Sequence, residues 1–103
     1  MSQDPASGPT TREESRLRAR RRLDDLLALL QKTPGLEGAA DLLIEAEGLG
    51  RAIDAFHMEG IRFRMYTLDR RLQRLAGTLP EAGALFTEVR VNLESAGFHT
   101  RSH

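Results

Sequence analysis

The segment from Asp54 to Glu59 contains the residue types that most readily bind a metal ion. Asp54 and His57 lie three positions apart, so on one helix their side chains would project from the same face. A carboxylate and an imidazole are too few ligands for a site, and further acidic residues or a second copy of the chain would have to complete it. Asp54, His57 and Glu59 are therefore a candidate metal site, although a surface pair between Asp54 and His57 explains the same spacing.

Arginine supplies fourteen of the fifteen basic residues and is concentrated in two groups. Its guanidinium group holds phosphate oxygens by paired hydrogen bonds, so arginine clusters are typical of surfaces that bind nucleic acid or another polyanion. Intrahelical ion pairs are the alternative, since Asp24 follows Arg20 at a spacing of four residues. Phe63 and Tyr66 are the only aromatic residues that interleave with either group, which gives base stacking little support. The candidate polyanion-binding residues are Arg16, Arg18, Arg20, Arg21, Arg22, Arg70, Arg71 and Arg74.

Covalent catalysis has little support in this sequence. The absence of cysteine excludes thiolate nucleophiles, disulfides and cysteine-ligated zinc. Lys32 is the single lysine, so amine chemistry would depend on that residue alone. Glu45 and Glu47 are two positions apart, which places them on different faces of a helix and prevents them from acting as an acid/base pair. The sequence therefore predicts a protein that is not an enzyme and that has no cofactor.

The apolar residues favour helices. Sixteen Leu and twelve Ala supply most of the apolar 40%, whereas the chain has two Val, three Ile, four Phe, one Tyr and no Trp. Leu and Ala are strong helix formers, while strands prefer β-branched and aromatic residues. No segment approaches the roughly 18 apolar residues of a membrane span, and the N-terminus lacks an apolar leader, so we expect a cytoplasmic protein with no membrane partner.

A single domain is expected to cover residues 11–98, since 103 residues leave room for only one. Residues 1–10 contain almost nothing that a core could bury, and residues 99–103 follow a helix-ending glycine, so both are expected to be tails. Thr10 and Thr11 each precede a glutamate by three residues, and either can open the first helix with a capping box.

Apolar residues at helical spacing predict four segments, which run over about 11–32, 36–47, 49–76 and 80–97. The second is expected to end at Gly48-Leu49-Gly50, because glycine disfavours the helix. The fourth has the clearest ends, since Pro80 suits the first helical position and Gly97 followed by Phe98 is typical of a Schellman turn. The sequence therefore predicts an all-α protein, a small bundle of about four helices.

Two stretches also fit strands. Ile61-Arg62-Phe63-Arg64-Met65 alternates apolar and charged residues with a period of two, and Val89-Arg90-Val91-Asn92-Leu93 alternates in the same way. The alternative fold is therefore α+β, with a short two-stranded hairpin at 61–67 and 88–93.

The third segment changes its apolar face partway along. In one unbroken helix, the apolar residues that follow Ile61 would centre about 120° from those that precede it. A break near Gly60 or a strand explains the change, whereas a continuous helix would expose a second apolar face, which a two-fold dimer commonly covers. We therefore predict a homodimer whose interface includes Leu68, Leu72 and Leu75.

Interaction is the function that these features favour. The first prediction is a non-enzymatic helical regulatory protein that works by self-association and by binding another protein. The alternative is a nucleic-acid-binding regulator that uses the two arginine groups. A weaker alternative is a protein that binds a metal or a small ligand around His57.

Overall fold

The computed structural model describes residues 11–75 and 77–100, and these residues form four α-helices. The prediction of an all-α bundle of about four helices is confirmed. The helices are α1 (Arg12–Gln31), α2 (Ala39–Asp54), α3 (Met58–Gln73) and α4 (Pro80–Ser95). The predicted tail at 1–10 lies outside the described residues. None of the helices formed by the described residues combines the length and the apolar character that crossing a membrane requires.

The α+β alternative is wrong, because residues 61–67 lie in α3 and residues 88–93 lie in α4. In α3, Ile61 and Met65 are fully buried while Phe63 between them is 61% exposed. Positions four apart share a face of a helix, whereas positions two apart do not. The apparent alternation therefore arises because two core positions of the helix, Ile61 and Met65, lie on either side of the exposed Phe63.

Successive helices run antiparallel, and ion pairs between them record the register. Arg20 of α1 lies beside Asp54 of α2, Arg64 of α3 beside Glu45 of α2, and Arg90 of α4 beside Asp69 of α3. α4 returns to pack along α1, while α1 and α3 are diagonal and do not touch. One core fills the centre of the bundle, and it consists of Ala19, Leu23, Leu26, Leu30, Leu42, Ala46, Leu49, Ile53, Ile61, Met65, Leu68, Leu72, Ala82, Phe86, Val89 and Leu93.

Two helix ends have the caps that the sequence predicted. The Thr11 hydroxyl accepts a hydrogen bond from the Glu14 N–H, and the Glu14 carboxylate accepts one from the Thr11 N–H, which forms the capping box of α1. α4 ends in a Schellman turn, with Gly97 at φ +95° and the Phe98 N–H donating to the Leu93 carbonyl.

α2 continues through Gly48-Leu49-Gly50, where the sequence predicted its end, and stops at Asp54. Each glycine in a helix interior costs about 1 kcal/mol relative to alanine. Leu49 and Ile53 are fully buried in the core, and burying each of these side chains stabilises the fold by about 1.5 to 3 kcal/mol. The apolar contacts of the second half of α2 thus outweigh the low helix propensity of its glycines.

The two glycines leave room for arginines that cross α2 on opposite sides. A Cβ atom at Gly48 would lie 2.9 Å from the guanidinium carbon of Arg64, and one at Gly50 would lie 2.9 Å from that of Arg20. Arg64 reaches α2 from α3, and Arg20 reaches it from α1. The glycines therefore serve close side-chain packing and do not break the helix.

The chain turns at Phe56, which separates α2 from α3, so the continuous-helix alternative for residues 49–76 is wrong and the helix is broken. Phe56 has φ +56°, its N–H donates to the Ile53 carbonyl, and the N–H of His57 donates to the Ala52 carbonyl. These bonds make a Schellman turn with phenylalanine in the left-handed position where glycine is usual. The change of apolar face reflects a break, which lies four residues before the predicted Gly60.

Candidate interaction surface

α3 presents two aromatic side chains and two arginines on its outward side. Phe63 is 61% and Tyr66 45% exposed, and Arg70 and Arg74 are exposed further along the helix. The spacings of three, four and four residues place all four on one stripe, opposite the buried face of α3. The stripe is about 16 Å long at 1.5 Å per residue. The α3 surface consists of these four residues, Phe63, Tyr66, Arg70 and Arg74.

The aromatic rings of the α3 surface are held by arginines. Arg70 donates a hydrogen bond of 2.8 Å to the Tyr66 hydroxyl, and its guanidinium carbon lies 5.6 Å from the centre of the Tyr66 ring. The guanidinium of Arg64 lies 5.7 Å from the ring of Phe63. Cation–π contacts at exposed sites contribute about 0.5 to 1 kcal/mol each. Each ring therefore has an arginine contact within the chain.

The arginines of the α3 surface lack carboxylate partners, a property that they share with Arg12, Arg18, Arg21 and Arg51 among the described residues. Within the described residues, neither Arg70 nor Arg74 forms an ion pair. The neighbouring arginines are paired: Arg64 with Glu45 at 2.8 Å, Arg62 with Glu59 at 3.8 Å and Arg71 with Asp41 at 3.9 Å. Arg70 and Arg74 therefore carry the two charges of this face that no described carboxylate pairs directly, although Arg74 lines a cavity that also includes Glu37 and Asp41.

The helices on either side of α3 also carry apolar side chains. Ile44 of α2 is 59% exposed and precedes Glu45, whose carboxylate accepts a hydrogen bond from Arg64 of α3. On the other side, α3 and α4 leave a groove of about 290 Å³ that includes Leu72 and Phe86. These two side chains are almost fully buried, so the groove reaches the edge of the core.

The first arginine group is largely neutralised within the chain. Arg16 pairs with Glu13 at 2.6 Å, Arg20 pairs with Asp24 and Asp54, and Arg22 pairs with Asp25 and Glu88. Arg18 and Arg21 are exposed and form no ion pair with a described residue. Since α1 and α3 are diagonal, the two predicted arginine groups do not form one continuous basic surface.

Asp54, His57 and Glu59 do not come together as metal ligands. The prediction that Asp54 and His57 share a helical face is wrong, because α2 ends at Asp54 and His57 caps α3. The His57 Nδ1 accepts a hydrogen bond of 2.8 Å from the Gly60 N–H, while Asp54 pairs with Arg20. The described residues contain no group of three or more potential metal ligands.

The residues of the predicted dimer interface lie inside the chain. Leu68 is fully buried, Leu72 is 6% exposed, and Leu75 packs partly against the same core. The continuous helix from which this interface was inferred is absent from the structure. The homodimer stays a prediction, but its interface would have to use other residues or open the core.

Two features of the structure, the exposed Phe56 ring and the buried Thr100, are barely indicated by the sequence. The Phe56 ring is exposed and lies 4.4 Å from the guanidinium carbon of Arg16. At the C-terminus, Thr100 is buried, accepts a hydrogen bond from Arg90 and donates one to Glu94. The packed part of the chain therefore extends two residues beyond the predicted boundary at 98.

Comparison with known proteins gives no relative for this chain. No family model matches it, and neither a curated protein nor a solved structure matches it. The arguments for function therefore depend on the geometry and chemistry of the chain itself.

Proposed function

We propose that the chain is a non-enzymatic helical interaction protein that binds another protein through the α3 surface. The observation that carries the proposal is the combination of Phe63 and Tyr66, both exposed, with Arg70 and Arg74, both without a carboxylate partner. Aromatic residues and arginine are enriched among the residues that dominate protein interfaces. A single exposed apolar residue is ordinary, but this stripe combines the two residue classes on one helix.

The orientation of these side chains also favours a binding role. Arg70 is fixed on Tyr66 by a hydrogen bond and a cation–π contact, so binding loses less side-chain entropy than it would with free side chains. Neither aromatic ring contributes to the core of the bundle. Their replacement should therefore affect binding much more than folding.

Nucleic acid is the second candidate partner, because the structure exposes aromatic rings next to arginines in α3. Single-stranded nucleic acids stack bases on such rings and place phosphates on arginines. Protein is favoured for two reasons. The chain has zero formal net charge, and the first arginine group is mostly paired with carboxylates.

Site-specific photocrosslinking tests the proposal. Benzoylphenylalanine replaces Phe63 in one variant and Val91 in a control, since Val91 is 54% exposed on the outward side of α4. After irradiation in an extract of the source cells, we expect an adduct at position 63 that protease removes and nuclease does not. The adduct should be absent at position 91 and should disappear when Tyr66→Ser is added to the position 63 variant. Equal labelling at both positions would contradict the proposal, and a nuclease-sensitive adduct would favour nucleic acid.

A further inference from the structure

We infer that the α3 surface binds an acidic amphipathic helix that runs antiparallel to α3. Carboxylates in the first turns of this helix would meet Arg70 and Arg74, and apolar residues further along it would cover Phe63 and Tyr66. The inference rests on the proposed function and adds the chemistry and the direction of the partner.

The charge of α3 determines the charge of the partner. From 58 to 74 the chain carries five arginines and two carboxylates. Three of these arginines find carboxylates within the chain, and the two that do not, Arg70 and Arg74, are four residues apart. This spacing corresponds to about 6 Å along the helix axis. Carboxylates three or four residues apart on a partner helix match that separation and can pair with both guanidinium groups.

The distribution of residue types along the stripe, together with the helix dipole, favours one direction of the partner. The aromatic residues occupy its N-terminal half and the unpaired arginines its C-terminal half. An antiparallel helix with acidic residues first and apolar residues afterwards matches this order. Acidic residues are also favourable in the first turn of a helix, where they complement the helix dipole.

A second copy of the chain fits this surface less well. In a two-fold antiparallel contact, the arginine half of one stripe would face the aromatic half of the other. Glu59, which lies four residues before Phe63, already lies 3.8 Å from Arg62. Such a dimer would leave the guanidinium groups of Arg70 and Arg74 without full charge compensation, which opposes their burial.

Synthetic peptides test the inference with the full-length chain. The acidic peptide is a helix of about 16 residues, long enough to cover the stripe, with glutamates in its first turns and leucines on the same face afterwards. A reversed peptide has the same residues in the opposite order, and a basic peptide has lysine in place of glutamate. A fluorescent label on each peptide reports binding by anisotropy, and a labelled single-stranded oligonucleotide represents nucleic acid.

The acidic peptide is expected to bind at least about tenfold more tightly than the basic peptide, and more tightly than the reversed peptide, with an affinity that falls as salt rises. Arg70→Gln together with Arg74→Gln should weaken its binding about tenfold, since both charge pairs are lost. Arg18→Gln together with Arg21→Gln is the matched control, because these arginines are also exposed and unpaired but belong to α1. The control should change binding by less than about twofold.

Two further variants test the apolar half of the surface. Phe63→Ser should also weaken binding of the acidic peptide, whereas Val91→Ser on α4 should leave it unchanged. All four variants alter exposed side chains, and circular dichroism with thermal melting checks that each is folded.

Different results overturn different parts of the argument. Equal binding of the acidic and basic peptides, or equal effects of the α3 and α1 arginine variants, would overturn the acidic partner. Equal binding of the acidic and reversed peptides would overturn the antiparallel direction. In both cases a protein adduct at position 63 would leave the proposed function standing. Oligonucleotide binding that the α3 variants abolish would replace the acidic helix by nucleic acid, and the absence of a position 63 adduct would remove the proposed function itself.

Discussion

Replacing Gly50 by alanine tests whether the glycines of α2 make room for arginines. The guanidinium carbon of Arg20 lies 2.9 Å from the position that the new Cβ would occupy, with its two terminal nitrogens at 3.0 and 3.2 Å. This guanidinium pairs with Asp24 and Asp54. The methyl group of alanine would displace it and weaken both ion pairs.

When Arg20 is present, the two effects of Gly50→Ala on the free energy of unfolding nearly cancel. Alanine gains about 1 kcal/mol of helix propensity over glycine. Asp24 and Asp54 are both more than half exposed, so each ion pair contributes only about 0.5 kcal/mol. We therefore expect Gly50→Ala to change the free energy of unfolding by less than about 0.5 kcal/mol. Arg20→Met keeps the side-chain stem but removes the guanidinium group, and in that background the full gain of about 1 kcal/mol should appear.

A double-mutant cycle measured by urea unfolding separates these contributions. The expected coupling is about 1 kcal/mol, and thermal melting should show it as a difference of about 4 to 8 °C for a domain of this size. Gly83→Ala is the control, because a Cβ atom there meets nothing within 4 Å. It should be stabilising in both backgrounds. Equal effects of Gly50→Ala with and without Arg20 would refute the explanation, and strong destabilisation in both backgrounds would show that Gly50 is needed for another reason.

Four further outcomes follow from helix ends, the core and the surface. The pKa of Glu14 is lowered mainly by the hydrogen bond from the Thr11 backbone N–H. The contribution of Glu14 to stability is therefore present above about pH 4.5 and is lost as the pH falls below that value. In a plot of the urea midpoint against pH, Glu14→Gln should flatten the acid side. A profile as steep as that of the unmodified chain would contradict this role. His57→Ala should destabilise the chain by about 1 kcal/mol through loss of the α3 cap, and His57→Asn should restore most of it, as judged by urea unfolding. Leu72→Asp should abolish folding, because it buries an unpaired charge, and a folded monomer by circular dichroism would oppose the observed burial. Light scattering across a hundredfold dilution tests the predicted homodimer: a constant mass near 11.5 kDa would contradict it, whereas a larger mass that Phe63→Ser reduces would assign the α3 surface to a second copy.

The ends of α1 and α4 could be predicted from the sequence because their signals are local. The Thr11 capping box, Pro80 and the Gly97 turn each depend on residues within one or two turns of the helix end. Such features need no knowledge of which helices are neighbours.

The break between α2 and α3 could not be placed because its cause is tertiary. Glycine at 48 and 50 usually indicates a helix end, but here it admits side chains from two other helices. The true end has Phe56 in a left-handed conformation, which costs a non-glycine residue about 1 to 2 kcal/mol. Local propensity therefore favoured the wrong position, and the predicted dimer interface had been argued from a continuous helix that this break rules out.

The alternating stretches of α3 and α4 gave the same sequence signal but differ in what they can bind. Phe63 and Val91 are both apolar residues out of step with the helical core, and both are exposed. Beside Val91, the side chain of Arg90 is only 13% exposed, and its guanidinium group is bound to Thr100 and Asp69. Phe63 instead belongs to a stripe with a second aromatic ring and two unpaired arginines. An alternating stretch that lies in a helix thus marks an exposed apolar residue. Whether charged groups beside that residue can pair with a partner depends on the ion pairs that those groups already form across the bundle.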